Sequence, residues 1–328
     1  MSAGIHVPRL AMSVLFAAST VTVAVGAKDL TQSTCSSVAF RGFDTRLDAT
    51  LLARVDLRGS AVTGFEVAGG KPLIAFEHRL VGVDGARLLS MPSVDKIDGL
   101  AVDASGVVLV QSGTRVRRLT KEKLEPVRTL AEGTRLHNSG NVAFLQSQRQ
   151  GGTTLLTVVS DDAREGVSPL RIDGAAIGSA TWNSVGLAVA AGDTLIAWTA
   201  GSQAVTRLRR DEGLRSARDV NLIAPDRAVV ALPGTLALVT DRGIAPLALI
   251  SARARWANDA LYVLDETLGV VWKVSGLEKL GTAASDKAHV RSILTKVPPN
   301  AAETDPRFLE AARILGCEGA RAARSKAR

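Results

Sequence analysis

The sequence predicts an all-β chain: a six-bladed β-propeller with a short C-terminal helix, seven blades being the alternative. Three observations predict it. A motif of short apolar runs recurs about every 40 residues. The runs are rich in Val and Leu and are bounded by Gly, Asp, Asn and Ser, the pattern of strands and turns. The four tryptophans fall in two common registers of the motif.

The clearest copy runs from Ile97 to Val110, with a tail at Arg115–Leu119. With Val102 as anchor, Val107, Leu109, Val116 and Arg118 follow in fixed steps. The same template meets Trp182, Leu187, Val189, Ile196 and Trp198 without a gap, and then Trp256, Leu261, Val263, Val270 and Trp272. A weaker copy is Ile223, Ala228, Val230, Ala237 and Val239; looser ones start at Val142 and Phe65. The anchors Phe65, Val102, Val142, Trp182, Ile223 and Trp256 lie 37, 40, 40, 41 and 33 residues apart. A helical repeat of this length would need apolar positions at i, i+3, i+4 and i+7, and they are absent. One copy alone is a small sheet with exposed faces, which radial stacking covers. The competing reading is a β-sandwich with accidental spacing.

Residues 1–27 read as a cleaved secretory signal: Arg9, then an apolar or small run from Leu10 to Val25, then Gly26-Ala27 before Lys28. An uncleaved membrane anchor is the runner-up, although the run is short for a span. The expected location is therefore secreted or periplasmic. In an oxidising compartment the two cysteines, Cys35 and Cys317, are expected to form a disulfide across the ring closure, because a propeller brings its first and last segments together. Residues 28–304 form the propeller in this reading. Within 36–60, Thr50–Leu57 is expected to supply the outermost strand of the last blade. The six units then run from about Thr63 to Leu280, followed by a polar, Pro-marked exit at 281–304. Residues 305–328 are a C-terminal helix and basic tail: Asp305 as N-cap, Pro306 at the first helical position, the helix running to about Gly316, and the tail irregular.

Composition narrows the function classes. At 46% hydrophobic residues, the chain can bury a large core. The formal charge of +8 becomes +7 when Arg9 leaves with the signal, and it is spread among acids rather than gathered in a run. Aromatics are 4%, too few for stacking on single-stranded nucleic acid or sugars, so no specific nucleic acid is expected. A basic surface with a weak pull toward an anionic envelope surface remains. The sequence does not indicate an oligomeric state.

In a propeller, chemistry gathers where loops converge at one end of the axis. Segments preceding inner strands hold Asp98, His137, Asn138, Asp219 and Arg253. Segments joining second to third strands hold His78, Gln111, Gln148, Asp193 and Asp265. Asp98, His137, Asn138, Asp219, Arg253 and Asp265 are the candidate ligand-binding set on the axial face. His137 has no second His at ligand spacing, and a surface-loop role competes with a base or metal role. Asp161-Asp162 reads as a solvated turn. No catalytic Cys-His pair, G-x-S-x-G elbow or P-loop occurs. The tryptophans read as blade-packing residues.

Asp98-Gly99 before an inner strand, followed by Leu100-Ala101-Val102-Asp103, resembles the DG motif of the NHL and SMP-30/gluconolactonase-like six-bladed propellers. Leu261-Tyr262-Val263-Leu264-Asp265 resembles the same group's LYVxD strand. The resemblance implies fold more than activity. In the lactonase branch such an Asp helps hold a divalent metal, and only Asp98 matches; the comparable Asn-Gly positions are Ala180-Thr181 and Arg253-Ala254. A hard-cation site needs several oxygen ligands together. The expected function is a binding or scaffold protein that uses its axial face for a small-molecule or protein ligand, without a cofactor. The alternative is a lactonase-type hydrolase with one divalent ion such as Ca.

Overall fold

A computed structural model describes residues 43–326 apart from 45, 58–59, 86, 94, 103–105, 121–122, 140–143, 151–152, 160–169, 174–176, 200–205, 282 and 299–304. Residues 1–27, Cys35, Val142 and Asp161-Asp162 lie outside the described residues.

The strands alternate apolar residues with turns, as the repeat requires. The first strand, β1 (Asp48–Arg54), belongs to the last sheet. The first sheet is the meander β2 (Val62–Ala68), β3 (Lys71–Phe76), β4 (Arg79–Asp84) and β5 (Arg87–Pro92). The second is β6 (Gly99–Val102), β7 (Val108–Ser112), β8 (Arg115–Leu119) and β9 (Leu124–Thr129). The third contains two meanders. One is β10 (Arg135–Ser139), β11 (Phe144–Gln150), β12 (Thr153–Val159) and β13 (Leu170–Asp173). The other is β14 (Ile177–Trp182), β15 (Gly186–Ala191), β16 (Thr194–Thr199) and β17 (Thr206–Arg210). The fourth sheet is β18 (Asp219–Ala224), β19 (Arg227–Leu232), β20 (Thr235–Thr240) and β21 (Gly243–Ala248). The fifth is β22 (Ala252–Ala257), β23 (Ala260–Asp265) and β24 (Val270–Ser275), completed by β1 on β24.

Among the described residues the blades therefore number five, not the six or seven the sequence suggests. The reason is local. At its far end β10 pairs in parallel with β14 (Asn138 opposite Thr181, Ser139 opposite Trp182), so two units share one eight-stranded sheet. The first strand of each meander faces the axis, and these strands neighbour one another around it, β22 returning to β2.

The core lies in slabs between sheets. Phe65, Ile74 and Phe76 of the first sheet meet Tyr262, Leu264 and Val271 of the last. Val229, Leu236 and Leu238 meet Leu261 and Val263. Closure is the interlock expected from Thr50–Leu57: β1 runs antiparallel to β24, with Arg54 opposite Val270. Beyond it, Val55 N–H donates to the Gly269 carbonyl at 2.7 Å. Gly269 has φ +62°, and a Cβ there would stand 2.2 Å from the Val55 carbonyl oxygen, so only glycine fits.

The tryptophan registers hold by half. Trp182 lies opposite Leu187 and Trp256 opposite Leu261, as the template requires. Trp198, however, lies opposite Leu187, whereas Trp272 lies opposite Val263, two residues out of step. The cause is turn length. β15 and β16 are joined by Gly192-Asp193 alone, whereas Glu266-Thr267-Leu268-Gly269 join β23 and β24. Trp198 packs edge-on to Trp182 at 5.1 Å; Trp272 packs on Phe43 at 5.9 Å. Val102, too, lies opposite Val108 rather than Val107.

The C-terminal region is more helical than the sequence suggests. The exit segment contains α1 (Ala283–Leu294), and α2 spans Pro306–Lys326, so most of the basic tail is helix. The N-cap is as read: Asp305 Oδ1 accepts from Arg307 N–H at 2.9 Å. Phe308, Leu309 and Ala312 pack on Val290 and Leu294, which is the apolar face that a basic tail hides from composition counts. No described helix is long and apolar enough to cross a membrane.

Candidate functional site: an arginine-lined axial basin

The inner strands enclose a basin of about 600 Å³ lined by Arg135, Arg218, Arg253 and Glu266, among others. It narrows to a pocket of about 40 Å³ beside Asp98, His137, Asp219 and Arg255. Inner strands place these groups because alternate side chains share a face: Arg253 and Arg255 are two apart on β22.

On the β22 side every arginine is engaged. Arg255 is buried between two carboxylates: Nε to Glu66 Oε1 at 2.7 Å and Nη1 to Asp219 Oδ1 at 2.6 Å. Asp219 Oδ2 also accepts from Ala254 N–H at 3.0 Å, and Arg253 approaches Asp219 at 3.8 Å. Above them Glu266 is shared by Arg218 at 2.5 Å, Ser251 Oγ at 3.1 Å and Arg253 Nε at 3.4 Å. Burial pushes the Glu66 carboxyl up to about 8, opposed by the Arg255 charge. Its Oε1 receives the Arg255 Nε while Oε2 is buried without a partner among the described residues. Burial disfavours the Arg255 charge, but Asp219 and Glu66 outweigh it and hold its pKa above the ordinary value.

The β10 side differs. Arg135 opens into the basin and, among the described residues, forms no ion pair. Desolvation and the charges of Arg253 and Arg255 pull its pKa below the ordinary arginine value, with Asp219 opposing them. The guanidinium stays charged, and these costs fall when an anion arrives.

The sequence candidates divide accordingly. Asp219, Arg253, His137 and Asp98 all line the narrow pocket. His137 is 6% exposed and its Nε2 shares a 2.7 Å hydrogen bond with Ser147 Oγ. Burial, with Arg135 and Arg255 nearby, drives its pKa down to about 3, so it is neutral. Asp98 accepts from Gly113 N–H at 2.7 Å, a turn role. Asp265 accepts from Thr267 and Leu268 N–H at 2.8 and 3.1 Å, holding the long turn rather than facing the basin. Asp193 pairs with Arg210 at 3.0 Å on the outer surface. Gln111 is a staple between blades: it donates to Thr134 O at 2.8 Å and accepts from Leu136 N–H at 2.9 Å. His78 lies in the turn between β3 and β4. Asn138 lies in the parallel ladder and Gln148 in β11; their side chains, and that of Cys317 in α2, are outside the described set.

Sequence reasoning missed Glu66, Arg135, Arg218, Arg255 and Glu266. The available signal was charge inside inner strands that are otherwise apolar, as in Gly64-Phe65-Glu66-Val67 and Arg253-Ala254-Arg255. Among the described residues, the group of three metal-ligating side chains within reach of one another is Asp44, His289 and Glu310, which does not include Asp98.

Sheet topology and an axial channel define a β-propeller. No protein-family model and no curated protein sequence matches the chain. Similar solved structures include a putative gluconolactonase, 12% identical, covering 72% of this chain and 96% of that one at a TM-score of 0.49. An auxiliary nutrient binding protein from Bacteroides thetaiotaomicron is 8% identical, covering 70% and 76%, at a TM-score of 0.47. The AfRom2 CNH domain is 7% identical, covering 70% and 98%, at a TM-score of 0.44. At these identities the likeness is one of fold.

Proposed function

We propose that the chain is a binding β-propeller that takes an anionic ligand, a carboxylate or phosphate ester, in its axial basin. One observation carries this reading: Arg135 stands unpaired among the described residues, in a basin whose other arginines are already matched. A guanidinium presents a planar fork to such anions, and a partly desolvated basin strengthens the contact. The basin is also of the size that holds a small molecule. The lactonase-type alternative would use Asp98, which lines the narrow pocket and whose Oδ2 accepts from Gly113 N–H. Export to the periplasm or medium and a Cys35–Cys317 disulfide belong with this reading; intact mass of the secreted chain, with and without reductant, tests both.

The test is calorimetry on the mature chain with phosphate, citrate and a neutral polyol of similar size, at low and high salt. The expected result is saturable anion binding that weakens with salt and falls at least tenfold in Arg135→Ala. Equal binding by that variant, or none by the wild type at low salt, would overturn the reading.

A further inference from the structure

Away from the basin, the segment ahead of β1 meets the helical pair at a second polar cluster. Asp44, His289 and Glu310 each offer one ligand atom, all within 4.8 Å of one another. We propose that these three residues form a divalent transition-metal site of the zinc type, which pins α1 and α2 to the ring.

Burial is the first argument. Asp44 is 2% and Glu310 6% exposed, so a cation held between them lies out of bulk water, where its attraction to carboxylates is least screened. The second is distance. His289 Nε2 and Glu310 Oε1 are 3.4 Å apart. That is long for a charge-assisted hydrogen bond, which closes to about 2.7–2.9 Å. It matches the edge of a tetrahedron whose metal–ligand bonds are about 2.0–2.1 Å, roughly 3.3 Å. The third is the surrounding shell. Arg46 holds Asp44 through its backbone N–H at 2.9 Å, Nε at 3.1 Å and Nη2 at 2.9 Å, and pairs with Asp286 through Nη1. Such outer contacts orient a ligating carboxylate. Asp286 lies one helical turn before His289 on α1 and faces the same group.

One nitrogen and two oxygen donors suit zinc or its neighbours better than calcium, which takes six or more oxygens. The ligands come from three segments. Asp44 is tied to the ring by its N–H to Leu247 O at 3.0 Å, while His289 and Glu310 lie on α1 and α2. A metal there would link the helical pair to β21. A water molecule would complete four-fold coordination.

Cobalt(II) titration of the chelator-treated mature chain, read by visible absorption, tests the site. One equivalent should bind with the intense d–d bands of tetrahedral cobalt and no thiolate charge-transfer band, and zinc should displace it. His289→Ala and Glu310→Gln should each weaken uptake at least tenfold, and zinc should raise the melting midpoint of wild type alone. Far-ultraviolet circular dichroism and anion binding at Arg135 serve as folding controls. Absence of saturable uptake, uptake unchanged in both variants, or a thiolate band assigning the metal to cysteine would each overturn the proposal.

Discussion

The two sides of the axial basin use the same residue type in opposite ways. On β22, Arg255 sits between Glu66 and Asp219, and Arg253 leans on Asp219 and Glu266. On β10, Arg135 faces solvent inside the basin with no carboxylate partner among the described residues. A guanidinium locked between buried carboxylates fixes the positions of neighbouring strands. One left unmatched keeps its donors for an incoming anion. The difference separates structural charge from binding charge within one cavity.

Four substitutions probe that contrast, in falling order of effect on stability. Arg255→Ala strands Glu66 and Asp219 in the interior, and loss of about 3–5 kcal/mol is expected in urea unfolding. A loss under 1 kcal/mol would show that the buried charges do not depend on one another.

The second test uses pH. His137 is neutral in the fold, with its pKa lowered to about 3, and regains the ordinary value of 6.5 on unfolding. The unfolded chain therefore binds the extra proton first. Its contribution is full above pH 6.5 and is lost as pH falls toward about 3, on the order of a few kcal/mol. His137→Gln should flatten stability against pH across that window; parallel curves for the two proteins would refute this.

Third comes Asn221, which donates to Ala254 O at 3.0 Å and accepts from Trp256 N–H at 2.9 Å, joining β18 to β22. Asn221→Ala removes the acceptor of Trp256 N–H and leaves Arg255 Nη1 as the side-chain donor to Ala254 O; it should cost about 1–3 kcal/mol, measured by denaturant midpoint. Smallest is Arg135→Ala. Its removal should shift stability by no more than about 0.5 kcal/mol while weakening anion binding at least tenfold. Destabilisation comparable to that of Arg255→Ala would erase the contrast between the two sides.

Much of the architecture was legible because it is periodic. Phe65, Val102, Trp182 and Trp256 all lie in inner strands, and Thr50–Leu57 overlaps the closing strand. The second tryptophan register failed because a gapless alignment cannot see that one turn has two residues and another four. The basin was half legible. Asp219, Arg253 and His137 came from their place ahead of inner strands; Glu66 and Arg255 lie within strands that pattern reading assigns to the core.

The order of apolar and turn residues was enough by itself to determine an all-β ring, its closing strand and the cap at Asp305, since these depend on neighbours a few residues apart. Only the tertiary structure decided that two units share one sheet, that Arg255 is matched while Arg135 is not, and that Asp44 meets His289 and Glu310. Those outcomes depend on distances between residues far apart in the chain, 189 positions for Glu66 and Arg255. No local pattern encodes them.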